Sequence, residues 1–190
     1  MTPIRNGGVT AAILSWVPGH GRTPPLIRPY RNDHLGACRE LWAELTQSHR
    51  EVYGDPEIGG SNPGAAFDAY LSEAAEDGVF VAEIEGAVVG LAGLIVRGDG
   101  KAELEPVVVA ERFREEGIGR ELTEAVIAAA RVRGLRRLTV RPVGRNDAAL
   151  RFFHGAGFDV VGRIELQLAL RAERIDRKPG PELAGRRFRV

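Results

Sequence analysis

The sequence predicts an α/β (α+β) domain with a central mixed, mostly antiparallel sheet flanked by helices. The chain has 190 residues, which suits one domain of ordinary size. Between residues 79 and 109, apolar runs are separated by short glycine-containing turns, a pattern typical of consecutive antiparallel strands. Segments with apolar residues at helical spacing lie before and after these runs.

The N-terminal part predicts an extension, a strand and a helix. Residues 1–25 are rich in Gly, Pro and Thr, so we expect a poorly ordered segment or an added strand there. Residues 26–29 predict a short strand. Asn32 or Asp33 can cap the first helix, because their side chains accept hydrogen bonds from first-turn N–H groups. An apolar stripe over 35–45 predicts the helix itself.

A second helix and three strands follow. Gly54 breaks the first helix, and Asn62-Pro63 predicts the cap and first residue of the second helix, which ends at Gly78. The three strands are predicted at 79–84, 88–96 and 102–109.

Helices and strands alternate in the C-terminal part. Gly117 opens a helix that ends at Gly134, and Asn146 opens another. Strands are predicted at 138–140, 158–161 and 164–170, the last from the alternation of Leu166, Leu168 and Leu170 with other residues. Residues 171–190 are rich in arginine, proline and glycine, and predict a loosely held basic tail.

Composition argues against several classes of function. The formal net charge is zero, so no basic field attracts nucleic acid. No apolar run is long enough to span a membrane. Cys38 is the only cysteine, which excludes an intrachain disulfide and suits a reducing, cytoplasmic location. His34, Cys38 and His49 lack the spacing of metal ligands, so no metal is expected.

The strongest chemical signal is a glycine loop between the third strand and the next helix. It runs Arg114-Glu115-Glu116-Gly117-Ile118-Gly119. A helix N-terminus offers unpaired N–H groups and the positive end of a dipole, and glycines let a phosphate approach the backbone. A pyrophosphate is the expected ligand; a helix that merely begins with glycines is the alternative. Leu122 stands where a dinucleotide-binding fingerprint needs its third glycine.

Two motifs together give a specific resemblance. Arg114, Gly117 and Gly119 match Arg/Gln-x-x-Gly-x-Gly/Ala, and residues 146–158 match an Asn, Ala, aromatic pair and Gly-Phe pattern. Over residues 26–170 the chain resembles the GNAT superfamily of acyl-CoA-dependent N-acyltransferases. The resemblance implies transfer of an acetyl group from acetyl-CoA to a primary amine, by direct attack in a ternary complex.

The resemblance also implies positions for acetyl-CoA. In the family, the strand before the loop separates from its neighbour and leaves backbone N–H groups free to polarise the thioester carbonyl. The loop holds the pyrophosphate, and the asparagine contacts the pantetheine arm or a water. The implied positions are Val107, Val108, Val109, Arg114, Glu115, Glu116, Gly117, Ile118, Gly119, Arg120, Asn146 and Phe153.

An amine acceptor must lose a proton, because it is mostly protonated at neutral pH. Glu103 and Glu105 alternate along one strand, so both are expected to face the cleft, and either is a candidate general base. Glu103 is placed first because some family members carry a glutamate there. The family often has a tyrosine as general acid where this chain has Phe153, and His154, one residue on, points to another side of the helix.

The acceptor is expected near the end of the first helix, where His49 and Tyr53 are candidate substrate contacts. Acidic residues in this region suit a cationic amine: Glu51, Asp55, Glu57 and Glu103. Because Phe153 lacks a donor, an acyl-CoA-binding sensor or interaction module without efficient catalysis is the alternative function. A homodimer is compatible with the sequence.

Overall fold

A computed structural model describes residues 23–166, 168 and 179–189. Its centre is a five-stranded sheet with strand order β1-β2-β3-β4-β5. The first four strands pair antiparallel, and β5 runs parallel to β4, so the predicted mixed, mostly antiparallel sheet is confirmed. The strands are β1 Leu26–Pro29, β2 Val79–Ile84, β3 Ala87–Gly98, β4 Lys101–Val109 and β5 Arg137–Thr139.

Helices cover both faces of this sheet. They are α1 Leu35–Tyr53, α2 Ala66–Glu73, α3 Ile118–Val132 and α4 Asp147–Gly155. On β3 the side chains alternate: Ala92 and Leu94 pack in the core that contains α3, whereas Leu91 and Ile95 pack in the core that contains α1 and α2. Within the described ranges, no helix has the length and hydrophobicity needed to cross a membrane.

The hairpin between β2 and β3 has the turn that its sequence predicts. Glu85 has φ 52° and Gly86 has φ 81°. Positive φ at both central residues is the two-residue turn whose twist matches that of paired strands. The β3–β4 turn at Asp99 and Gly100 also has positive φ at both residues, 52° and 69°.

The first helix does not begin as predicted. Residues Asn32–His34 form a 3-10 turn, and neither Asn32 nor Asp33 caps α1 with its side chain. The Asp33 carboxylate instead accepts a hydrogen bond from Arg31 Nε at 3.2 Å. The Arg31 N–H donates to His34 Nδ1 at 3.0 Å, so the histidine ring takes the place of the Glu or Gln of a capping box.

The predicted strand at 158–161 is wrong, and residues 164–166 of the predicted last strand are not strand either. Their apolar side chains, such as those of Val160 and Leu166, are exposed. Alternating side chains favour a strand only where a neighbouring strand pairs with the backbone, and none does here among the described residues. Residues 167, 169 and 170 of this prediction lie outside the described residues.

Within the predicted basic tail, residues 179–189 have regular structure that the sequence did not predict. They form a hairpin of β6 Pro179–Leu183 and β7 Arg186–Arg189. Its turn has positive φ at Ala184 (50°) and Gly185 (69°), and an alanine gives little sign of such a turn. Residues 1–22, 171–178 and 190, which the extension and tail predictions cover, lie outside the described residues.

Candidate active site

The site is built where β4 and β5 separate. The two strands pair at Lys101–Arg137, Ala102–Leu138 and Glu103–Thr139, and no pairing continues past Glu103. Within the described ranges, the second half of β4 therefore pairs with a strand on one side only, as the resemblance implies. The unpaired end of β4 lies next to the first turn of α3: a Cβ on Gly119 would lie 3.7 Å from Val109 Cγ2.

Backbone groups of β4 face this gap. Ala110 N–H donates to Val89 O on β3 at 2.9 Å. In an antiparallel ladder, alternate residues bond to the same neighbour, so Val108 bonds to β3 while Val107 and Val109 turn their N–H groups the other way. A hydrogen bond from Arg114 Nε to Val109 O at 3.1 Å agrees with this orientation. The geometry therefore provides N–H donors at two of the predicted positions.

A β-bulge lies just before these groups. The register of β3 and β4 jumps from Ala92–Val107 to Leu94–Leu104, so Glu105 and Pro106 both stand opposite Gly93. The bulge changes the direction of the backbone close to the point where β4 stops pairing with β5.

The glycine loop forms the N-terminus of α3 as predicted. Gly117 is the residue before the first helical turn and has φ 85°, a left-handed conformation that favours glycine. Nothing lies within 4 Å of the position that a Cβ of Gly117 would take, so this face of the loop is open. A Cβ on Gly119 would lie 3.4 Å from the ring of Phe152, which joins the loop to α4.

Arg114 and Arg120 bond to the protein itself. The guanidinium of Arg114 lies 3.3 Å from Glu44 Oε1 on α1, besides its bond to Val109 O. The same oxygen of Glu44 accepts a hydrogen bond from the Glu111 N–H at 2.6 Å. Arg120 pairs with Glu124 at 2.9 Å. Glu44 thus ties the loop to α1, a role that nothing in its sequence neighbourhood indicates.

Helix α4 carries two predicted positions. Asn146 Oδ1 accepts a hydrogen bond from the Ala149 N–H at 3.0 Å, so Asn146 caps α4. Phe153 is half-buried, with its ring centre 5.1 Å from that of Phe152 and 5.8 Å from that of Phe158, both edge-on. Phe153 is therefore a packed core residue at the position where the family often has a tyrosine.

The two glutamates of β4 have different surroundings. The Glu103 side chain is 2% exposed, and its Oε2 lies 3.0 Å from Arg97 Nη2 and 2.7 Å from Arg141 Nη2. Two guanidinium groups thus hold this carboxylate, and they compensate the charge that was expected to make the acceptor region acidic. The sequence did not indicate either arginine as a partner.

Glu105 is exposed, and no described residue bonds to its carboxylate. Although the residue as a whole is exposed, partial burial of its carboxyl group, and then the charge of Glu103, raise the pKa of Glu105 above its ordinary value, whereas Arg97 and Arg141 oppose this shift. A carboxylate with a raised pKa is a better proton acceptor.

His49 and Tyr53 lie on the last turns of α1, one turn apart. Their ring centres are 6.0 Å apart and edge-on, and burial lowers the pKa of His49. The guanidinium carbon of Arg145 lies 6.0 Å from the centre of the Tyr53 ring. Because Arg145 directly precedes Asn146, this contact joins the end of α1 to the start of α4.

Residues 36–158 match the profile described as the acetyltransferase (GNAT) family. The chain belongs to this family. The match covers the separated strands, the glycine loop and α4, so the resemblance drawn from the two motifs is confirmed. No curated protein sequence matches the chain.

Solved structures show the same fold. The ribosomal-protein-alanine N-acetyltransferase from Brucella melitensis is 27% identical, with 72% of this chain and 86% of that chain covered and a TM-score of 0.60. The aminoglycoside N-acetyltransferase AAC(6')-Iy, solved with CoA, is 20% identical. The match covers 82% of this chain and 100% of that chain, with a TM-score of 0.59. A GNAT-family acetyltransferase from Staphylococcus aureus is 17% identical. The match covers 78% of this chain and 93% of that chain, with a TM-score of 0.58.

Among the residues described, no group of three His, Cys, Asp or Glu side chains is arranged to hold a metal ion.

Proposed function

We propose that this GNAT-family protein transfers an acetyl group from acetyl-CoA to a primary amine in a ternary complex. The observation that carries the proposal is the gap between β4 and β5, which leaves the N–H groups of Val107 and Val109 on the side of β4 away from β3. Such a gap gives one molecule both an anion site at the loop and donors for a carbonyl oxygen. A solved AAC(6')-Iy structure of the same fold contains CoA.

The proposed roles follow the geometry. The loop from Arg114 to Gly119 holds the pyrophosphate, and the N–H groups of Val107 and Val109 donate to the thioester carbonyl oxygen. Glu105 receives the proton that the amine loses, directly or through a water. The amine nitrogen bonds to the carbonyl carbon, the carbon–sulfur bond breaks, and the sulfur leaves with the electron pair as a thiolate.

We assign the base to Glu105 rather than Glu103. The Glu103 carboxylate is buried and already bonded to Arg97 and Arg141, so an amine would have to displace an arginine to reach it. In this proposal, Glu103 keeps the two arginines in place, and its charge contributes to the raised pKa of Glu105.

The acceptor class is a small amine or a protein amine: a polyamine, an aminoglycoside-like compound, an amino acid, or a protein N-terminus or lysine. Fold relatives include enzymes named for an aminoglycoside and for a ribosomal-protein alanine. The test is a panel of these amines with acetyl-CoA, in which released CoA and product mass are measured together. Release of CoA in equal amount to an acetylated product supports the proposal.

Phe153 favours a second candidate function, an acyl-CoA-binding sensor or interaction module. A phenylalanine at this position offers no proton to the leaving sulfur. Binding of acetyl-CoA without an acetylated product from any amine, in the native chain and in Phe153→Tyr, would favour this function. A thiol with a pKa of about 8.5 leaves tolerably as a thiolate, so catalysis does not require the missing donor.

Replacing Phe153 with tyrosine should leave kcat unchanged or raise it modestly. The ring packs edge-on between Phe152 and Phe158, and a hydroxyl adds a donor without removing an existing one. In the native chain, kcat should rise with pH in one limb, without a falling limb below about pH 9. A bell-shaped profile near neutrality that is lost in His154→Ala would instead assign the acid to His154.

A further inference from the structure

Arg145 is a partly buried arginine without an anionic partner. It lies in the loop between β5 and α4, where its guanidinium carbon is 6.0 Å from the centre of the Tyr53 ring. Within the described part of the chain, no group accepts a hydrogen bond from this guanidinium or pairs with its charge. A ring face attracts the positive charge, but the five N–H donors lie in the plane of the guanidinium and remain available. Arg145 therefore has donors and a charge that the described chain does not use.

The other partly buried arginines are bonded to the protein. In the described ranges these are Arg28 and Arg50. Arg28 Nε lies 3.3 Å from Glu83 Oε2, and Arg50 Nε donates to the Ile58 carbonyl oxygen at 2.9 Å. A guanidinium that is partly removed from water loses hydration, and a bond to an acceptor normally compensates for that loss. Arg145 is the exception, which favours a ligand as its partner.

The same loop carries a second arginine with unused donors. Arg141 Nη2 lies 2.7 Å from Glu103 Oε2, an oxygen that also lies 3.0 Å from Arg97 Nη2. The side chain of Arg141 is 72% exposed, and its Nε and Nη1 have no acceptor among the described residues. One buried carboxylate therefore holds two guanidinium groups, and Arg141 still presents N–H donors to the solvent.

Both arginines reach the face of the sheet that α1 covers. Glu103, which Arg141 contacts, is the cross-strand partner of Ile95, and Ile95 packs in the core that contains α1 and α2. Tyr53, which Arg145 contacts, is the last residue of α1. The Cα atoms of the two arginines are at most about 14 Å apart, because four residues span no more. The loop therefore places two guanidinium groups on the side where the acceptor is proposed to bind.

We propose that Arg145, with the free donors of Arg141, binds a carboxylate group of the acceptor, so that the substrate is an amine that also carries a carboxylate, as an amino acid does. The inference rests on the proposed function, because it names the acceptor class of the same site. The planar fork of a guanidinium matches the two oxygens of a carboxylate. The ammonium group of such a substrate suits the exposed carboxylate of Glu105. A polyamine has no anion to offer and brings only further positive charge to the arginines.

Matched pairs of acceptors test the inference. Lysine and cadaverine differ by one carboxylate, as do ornithine and putrescine, and alanine and alaninamide differ by the charge of that group. In each pair that the native chain acetylates, kcat/KM should be roughly tenfold or more higher for the member with the carboxylate, the factor of a charge-assisted hydrogen bond. Initial rates at saturating acetyl-CoA measure this preference.

Arg145→Gln should remove the preference. It should raise KM for lysine roughly tenfold or more, without lowering kcat/KM for cadaverine. Arg145→Lys keeps the charge but loses the planar fork, so it should retain part of the preference. The ratio of kcat/KM within a pair does not depend on the amount of folded enzyme, so a loss of stability alone cannot change it.

Arg131→Gln is the matched control. Arg131 is exposed on the last turn of α3, which packs in the core on the opposite face of the sheet from α1. Its replacement removes the same charge as Arg145→Gln, but away from the acceptor side. This variant should keep the preference and KM values of the native chain.

Equal kcat/KM for both members of every pair in the native chain would overturn the inference, and so would a preference that Arg145→Gln retains. A rise confined to KM for acetyl-CoA in Arg145→Gln would assign the guanidinium to a phosphate of the donor, which also overturns it.

Failure of the native chain to acetylate any amine would contradict the proposed function, and binding then tests the carboxylate site by itself. With CoA present, lysine should raise Tm more than cadaverine in the native chain and in Arg131→Gln, but not in Arg145→Gln. No difference between lysine and cadaverine in the native chain would overturn the inference.

Discussion

Replacing Gly117 with glutamate should abolish the rise in Tm that acetyl-CoA gives to the native chain. Gly117 precedes the first turn of α3 and has φ 85°, and its Cβ position is open, so a glutamate fits there but places a negative charge where the pyrophosphate is proposed to bind. A ligand at 100 times its Kd stabilises a protein by about 2.7 kcal/mol. For a domain of this size, that is a shift of roughly 5–10 °C. Thermal denaturation with and without acetyl-CoA measures it.

Gly134→Glu is the matched control for this variant. Gly134 follows the other end of α3, has φ 66°, and likewise has nothing within 4 Å of its Cβ position. Both variants therefore strain the backbone in the same way and add the same charge. Gly134→Glu should lower the Tm of the apoprotein but keep the full acetyl-CoA shift. A full shift in Gly117→Glu would show that the pyrophosphate binds elsewhere.

Glu105→Gln should lower kcat at neutral pH by about 10²-fold or more, the usual contribution of a general base. A glutamine amide cannot take the proton of the amine. The loss should shrink at high pH, because the free amine is then already abundant. Initial rates across pH, at saturating acetyl-CoA, measure both effects.

The same variant should be at least as stable as the native chain at pH 7. The pKa of Glu105 is raised in the folded state, so its protonated form stabilises the fold at low pH, and this contribution is lost as pH rises through the folded-state pKa. Glutamine carries no charge, so the variant does not lose this contribution at pH 7. Below the ordinary pKa of glutamate, Glu105 is protonated in both the folded and the unfolded chain, so the native chain and Glu105→Gln should then have the same Tm. A fall in activity together with a gain in Tm cannot be explained by unfolding.

Glu121→Gln is the control for this pair of effects. Burial, and then Glu124, raise the pKa of Glu121, which lies on α3 on the other side of the sheet. Its replacement should change Tm in the same direction but leave kcat at saturating acetyl-CoA unaltered. Glu103→Gln should lower Tm, because it leaves Arg97 and Arg141 without their shared carboxylate. Should Glu103→Gln lose kcat while Glu105→Gln retains it, the base is Glu103.

Local chemistry explains what the sequence could predict. Glycine at 86 and 117 takes the positive φ that a hairpin turn and a helix start require, and alternation along β3 and β4 follows from strand geometry. The failed strand at 158–161 had the right pattern, but no strand in the described part of the chain pairs with it. Strand formation depends on distant backbone, which a local pattern does not contain.

The surroundings of the glutamates show the same limit. Glu103 and Glu105 look equivalent on a strand, and only the folded chain brings Arg141 onto Glu103 from beyond β5. Arg145 stands in a loop, and only the folded chain places its guanidinium against Tyr53 of α1. The local sequence determines which side chains of a helix or strand share a face. The ionisation and hydration of a side chain depend on segments far along the chain.

The contacts of Glu44 connect helix α1 to the proposed donor site, and the same helix reaches the proposed acceptor site. This α1 carboxylate bonds to Glu111 and Arg114 at the glycine loop, and the same helix carries His49 and Tyr53, the proposed acceptor contacts. If donor binding shifts the loop, α1 would transmit that shift to His49 and Tyr53, because a helix is stiff along its length. Coupling between binding sites is reciprocal. The factor by which bound donor changes the affinity for the acceptor is also the factor by which bound acceptor changes the affinity for the donor. We therefore expect the order in which the two substrates add to depend on the position of α1 as well as on the chemistry in the cleft.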